Sequence, residues 1–158
     1  VRGIWIKQNS FASYDACGSD SWCYGYIWAG WSKGYWTLDT TSTIAGNTIT
    51  WQTWGPSAGQ TNIAQSGVVE LHKWYHIVAT RSITDGIKLY LNNELVASVT
   101  GAFTAGPAGS SSEYDSMGGY GNPSFSRYGL DATISQFRLF PSELNATQIS
   151  QLYNEISL

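Results

Sequence analysis

Apolar and polar residues alternate singly along much of this chain, the spacing of a pleated strand with one buried face. The clearest run is Trp74 to Val99, WYHIVATRSITDGIKLYLNNELVASV. Residues 74–81 are aromatic and β-branched, types that fit a half-buried pleated surface. Thr84-Asp85-Gly86 follows as a turn, because Gly tolerates positive φ at no steric cost. Ile87, Leu89 and Leu91 then point one way, and Lys88, Tyr90 and Asn92 the other. Asn92-Asn93 supplies a second primed turn, and Leu95, Ala97 and Val99 continue the apolar face. The pattern predicts a three-stranded meander.

The same pattern recurs on either side. In Val1 to Ser10, Ile4 and Ile6 fall on one face, Trp5 and Lys7 on the other. Strands are predicted at 24–31, 35–41 and 48–54, separated by turns at Lys33-Gly34 and Ala45-Gly46-Asn47. Residues 55–62 read as loop and 63–71 as a further edge strand. Residues 101–113 are Gly/Ser/Pro-rich loop, 116–120 a strand, 121–129 a loop and 130–140 the last strand. Residues 143–156 carry the one helical pattern: Asn145 as N-cap, Gln148 at the capping-box position, and Ile149, Leu152 and Tyr153 as the apolar stripe.

The central run also resembles a family. Trp74-x-His76-Ile-Val-Ala-Thr-Arg81, then Asp85-Gly-Ile-Lys-Leu-Tyr-Leu-Asn-Asn93, then Leu95-Val-Ala-Ser98 is similar to the central strands of laminin-G-like domains. The Met117-Gly-Gly strand, the run Ile134 to Phe140 and the short final helix resemble the same family. The resemblance implies an all-β, antiparallel jelly-roll β-sandwich of the concanavalin A-like group, as a single domain over residues 1–158. That fold hosts lectins, adhesion modules, glycosidases and virion proteins, so it implies fold more than function. In the family, a strand precedes the segment matching residues 1–10. The expectation is therefore that this chain was cut from a longer one, or that another segment or chain completes the sheet beside residues 4–8. Homo- or hetero-assembly through that N-terminal edge follows as a candidate.

Composition narrows the class. The chain has 158 residues, enough for one domain with its own core. Only 12% of residues are charged, about half the usual share. Aromatics make up 15%, with eight Trp and ten Tyr. The polar remainder is mainly Ser, Thr, Asn and Gly, a surface seen in many extracellular β-proteins. A net charge of −3 with no basic run argues against nucleic acid. No run approaches the roughly 20 apolar residues of a membrane helix. Cys17 and Cys23 could close a small disulfide loop in an oxidising compartment, or remain two thiols.

Candidate chemistry is sparse. Glu113 and Asp115 stand two apart, as paired glycosidase carboxylates do on a strand, but Gly118 stands where a third acid belongs. Solvated loop acids are the simpler reading. His72 and His76 fall on one strand face, outside any nucleophile motif, and read as packing or hydrogen-bonding residues. Laminin-G-like relatives often bind calcium at a loop rim, and the resemblance offers Asp15, Asp20 and Asp131 as ligands; otherwise no cofactor is expected. Trp22, Trp31 and Trp54 lie in or beside loops. With Tyr120 and Asn122 they could frame a glycan site by ring stacking and amide hydrogen bonding. About half of the aromatics crowding the first third are expected to be core. Asn145-Ala146-Thr147 fits a glycosylation acceptor, though the helix cap is the simpler reading.

The reading that follows is a non-catalytic binding or adhesion module for a glycan or other surface partner, placed outside the cell, at the cell surface or on a virion. The alternative is a structural virion, filament or coat component whose aromatic faces pack against neighbours. A glycoside hydrolase ranks below both.

Overall fold

The structure, a computed structural model, describes residues 1–10, 24–30, 36–43, 46–54, 61–82, 84–100, 116–118 and 130–155. Its strands are β1 (Arg2–Gln8), β2 (Tyr24–Gly30), β3 (Trp36–Thr43), β4 (Gly46–Trp54), β5 (Thr61–Val68), β6 (Trp74–Ser82), β7 (Gly86–Leu91), β8 (Glu94–Val99), β9 (Ser116–Met117) and β10 (Ala132–Leu139). One helix, α1 (Ala146–Asn154), follows. They form two five-stranded sheets, ordered β10-β1-β6-β7-β8 and β5-β4-β3-β2-β9, with every pairing antiparallel. This is the jelly-roll sandwich with one short helix that the family resemblance implied.

The predicted meander is β6-β7-β8. Both residues of its second turn, Asn92 (φ 49°) and Asn93 (φ 71°), have the positive φ of a primed turn. At the first turn, the Ser82 hydroxyl accepts the N–H groups of Thr84 and Asp85. Gly86 follows with φ 99°, and a Cβ there would lie 1.9 Å from the Val99 carbonyl oxygen. Only glycine fits that approach.

The core between the sheets is Ile4, Ile6, Ile27, Ile49, Trp51, Val69, Ile77, Ala79, Ile87 and Leu89. The Trp51 indole N–H crosses it to donate to the Thr80 carbonyl at 3.1 Å. A second, smaller core lies on the other face of the first sheet. There Trp5, His76, Val78, Ile149 and Leu152 are buried, and Tyr153 stacks on Trp5 at 5.6 Å. Helix α1 supplies this cover. Its start is the expected capping box, with Asn145 and Gln148 bonding each other's backbone N–H at 3.0 and 2.9 Å.

Several expectations are corrected. The N-terminal strand is no edge: β10 and β6 flank it, so assembly through residues 4–8 has no open row of backbone groups to use. Its missing neighbour is the last strand of the same chain. Trp5 lies on the face opposite Ile4 and Ile6, as expected, and is buried there because α1 covers that face. Leu95 is 53% exposed and does not continue the apolar face. A register shift between Leu89 and Tyr90 leaves Val96 as an extra residue in β8, so Leu95 pairs with outward-facing Tyr90. His72 is in no strand. It sits exposed in the turn before β6 with φ 62°. Of the expected strand 116–120, Ser116–Met117 is strand and Gly118 is a bend with φ 75°.

Candidate functional site

Strand β4 shows where a ligand could meet the second sheet. Ile49 and Trp51 enter the core, so alternation puts the side chains of Thr48 and Thr50 on the opposite face of β4. The cross-strand register extends this face. Thr50 stands opposite Asp39 in β3 and Gln65 in β5, and Asp39 stands opposite Tyr26 in β2. Tyr26, Asp39, Thr50 and Gln65 thus form one row across four strands. Thr48 pairs with Thr41, Gln52 with Thr37, and Trp54 with Thr61. The register thus brings hydroxyl, amide and aromatic residue types to neighbouring positions, with Asp39 in the middle row.

A β-bulge fixes the register of this sheet. Ser66 and Gly67 together occupy the place opposite Ile49. The Ser66 hydroxyl accepts the Ile49 N–H at 2.8 Å and donates to the Gly67 carbonyl at 2.8 Å, so the Ile49 N–H keeps a partner across the bulge. Within the row, Thr50 is 6% exposed and its hydroxyl has no hydrogen-bond partner. A shielded hydroxyl without a partner carries a desolvation cost.

Of the residues expected to form a site, Trp54 belongs to this sheet, at the end of β4. Trp22, Trp31, Tyr120 and Asn122 lie outside the described residues, as do Asp15, Asp20, Cys17, Cys23, Glu113 and Asp115. Asp131 is described, at the end of the sandwich. One carboxylate oxygen accepts from the Asn9 amide at 3.2 Å and the other from the Ser10 hydroxyl at 2.5 Å. These bonds hold its carboxyl below the usual carboxylate range, with a smaller effect from nearby His72. The carboxylate ties the chain after β1 to the start of β10, a structural task that competes with metal ligation. Among the described residues, no group of three His, Cys, Asp or Glu could hold a metal ion.

His76 is a packing residue, as expected. Its ring lies 5.0 Å from Trp5 and 5.8 Å from Tyr153. Asn92 accepts its backbone N–H and donates to its carbonyl. Burial, and secondarily the Arg138 guanidinium, push its pKa down to about 4. The imidazole is neutral at pH 7 and faces aromatic rings, not a nucleophile. Sequence reasoning missed the Tyr26–Gln65 row, because register between strands this far apart is not local. The signal it did hold was the hydroxyl and amide set on alternate positions of Thr48 to Trp54.

The fold is that of a lectin-like β-sandwich. The chain belongs to the Laminin_G_3 family of the concanavalin A-like lectin/glucanases superfamily, whose sequence model matches residues 3–150. A search of curated protein sequences returns no match. Among solved structures, it is similar to domain 4 of AbnA, a GH43 extracellular arabinanase from Geobacillus stearothermophilus, in complex with arabinotriose. That match has TM-score 0.64 and 12% identity, covering 96% of this chain and 65% of the other. It is also similar to a botulinum neurotoxin type C structure, a toxin whose cell entry depends on two ganglioside molecules (TM-score 0.65, 14% identity, covering 99% of this chain and 35% of that one). The binding domain of botulinum neurotoxin DC in complex with SialylT is a third (TM-score 0.66, 14% identity, covering 98% and 34%). The chain thus spans about a third of the toxin chains. No helix among the described residues is long and apolar enough to cross a membrane.

Proposed function

We propose that this chain is a non-catalytic glycan-binding module that works outside the cell or at a cell surface. The observation that carries this reading is the strand register of the second sheet, which sets hydroxyl, amide, carboxylate and aromatic residue types side by side in the row Tyr26, Asp39, Thr50 and Gln65. Sugars are bound by convergent hydroxyl, amide and carboxylate groups together with aromatic rings. Trp54, at the end of β4, is the candidate stacking ring. Trp22, Trp31, Tyr120 and Asn122 would extend the site from the loops, and a Cys17–Cys23 disulfide would brace the loop that carries Trp22. Family membership and the glycan ligands of the similar structures support the same class. The rival reading, a coat or filament subunit, drew its support from an N-terminal edge, and that edge is covered by β10.

The test is a glycan array spanning arabino-oligosaccharides and sialylated chains, run with the parent protein and with Trp54→Ala. Saturable binding that drops at least about tenfold in the variant, with circular dichroism unchanged, is the expected result. Equal binding by both proteins would remove Trp54 from the site. No binding to any glycan would sink the reading.

A further inference from the structure

The second core has a polar flaw at its centre. His76 is 4% exposed, yet its Nδ1 is buried with no hydrogen-bond partner, and so is Trp5 Nε1 beside it. A small cavity of about 10 Å³, lined by Gly3, Trp5, His76, Gln136, Arg138 and Leu152, lies against the ring. Among the described residues, the charged and titratable groups around the imidazole are few. From β10 comes the Arg138 guanidinium, and from α1 the Tyr153 phenol. Glu155, just past the helix, is engaged by Arg138 in an ion pair. On β1, Gly3 and Trp5 bring no charge, and the hairpin side presents Asn92, bonded to the His76 backbone. No carboxylate among these is free to receive a proton-bearing imidazole.

We propose that His76 is an acid-sensitive latch for the C-terminal helix: neutral, it lets α1 lie on the first sheet; protonated, it drives α1 off. Protonating Nδ1 creates a donor with no acceptor and places a cation beside Arg138 within a buried aromatic stack. The rings of Trp5 and Tyr153 offset part of this by cation–π attraction, but the desolvation of the ion is the larger effect. Undocking α1 returns the imidazole to water and relieves both.

The sign follows from the depressed pKa. A histidine of ordinary pKa 6.5 that falls to about 4 when docked holds the helix fully above pH 6.5 and loses its grip as pH falls towards 4. One coupled proton raises the undocking equilibrium by up to about tenfold per pH unit in that window. What is released is amphipathic: Ile149, Leu152 and Tyr153 on the helix, and Trp5 and Val78 on the sheet.

Amide hydrogen exchange on the intact chain from pH 7.5 to 4.5, corrected for intrinsic rates, tests this. Exchange at Ile149, Leu152 and Tyr153 is expected to accelerate on acidification while Ile49 and Leu89 stay protected. His76→Phe, which keeps a ring in the stack, is expected to flatten that dependence. An acid response that persists in His76→Phe but vanishes in Glu155→Gln would overturn the proposal, assigning it to the Arg138–Glu155 pair. The wild-type His76 titration, read by NMR, is a second arm that needs no variant. A native pKa at or above 6.5 would overturn the latch outright.

Discussion

The Trp51 indole N–H donates to the Thr80 carbonyl oxygen at 3.1 Å, a bond that spans the core from the second sheet to the first. Trp51 is 1% exposed, so neither partner can turn to water instead. Trp51→Phe removes this bond, while the Thr80 carbonyl keeps its place in the ladder opposite Lys88, and should destabilise by about 0.5–1.5 kcal/mol. Trp51→Ala adds a large void and should cost about 3–5 kcal/mol. Urea unfolding midpoints measure both, and a Phe variant as stable as the parent would show that the bond contributes nothing.

Thr50 should show the opposite behaviour. Its buried hydroxyl lacks a partner, so Thr50→Val removes a polar group that the fold does not use. Stability should rise, by up to about 1–3 kcal/mol. A loss of stability would mean that the hydroxyl has a partner after all.

Gly86 and Gly67 make a matched pair. At Gly86 (φ 99°), a side chain meets the Val99 carbonyl at 1.9 Å, whereas at Gly67 a Cβ has nothing within 4 Å. Gly86→Ala should lose at least the roughly 1–3 kcal/mol of a forced positive φ, plus the clash with β8. Gly67→Ala should stay within about 0.5 kcal/mol of the parent. Thermal melts of the two variants side by side check the contrast.

These cases show where sequence was a sufficient guide. The meander and α1 were legible because their instructions are local: Asp85-Gly86 and Asn92-Asn93 form turns from their own backbone preferences, and Asn145 and Gln148 cap each other three residues apart. The neighbour of β1 was not legible, since Ile6 pairs with Ile134 and no local pattern reports a partner that distant. Trp5 was assigned to an outer face correctly, but whether a helix covers that face depends on the whole chain. Leu95 was misplaced because alternation assumes a regular ladder, and one bulge reverses it. The face carrying Thr50 was half legible. Strand β4 showed its polar alternation, but the rows that complete it come from pairing.

Strand β10 offers the sharpest test of that last point. Simple alternation would put Ile134, Gln136 and Arg138 on one face, and Phe137 opposite them. The structure sends Ile134 and Phe137 into the core together and Arg138 outward. The reason is a bulge: Gly3 pairs with Arg138 and Trp5 with Ser135, leaving Gln136 and Phe137 to share the place opposite Ile4. Gln136 takes the strain, with φ 53°. Deleting Gln136 should therefore restore an unbroken ladder. Trp5–Ser135, Ile4–Phe137 and Gly3–Arg138 would become consecutive pairs, with every side chain on its present face. The variant should fold within about 1 kcal/mol of the parent, because the relieved positive φ offsets the lost local contacts. Deleting Thr133 instead, from the regular part of the strand, shifts one flank by a residue and should destabilise severely. Unfolding midpoints for the two deletions decide it: if loss of Gln136 is as damaging as loss of Thr133, the bulge is required and the ladder cannot close without it.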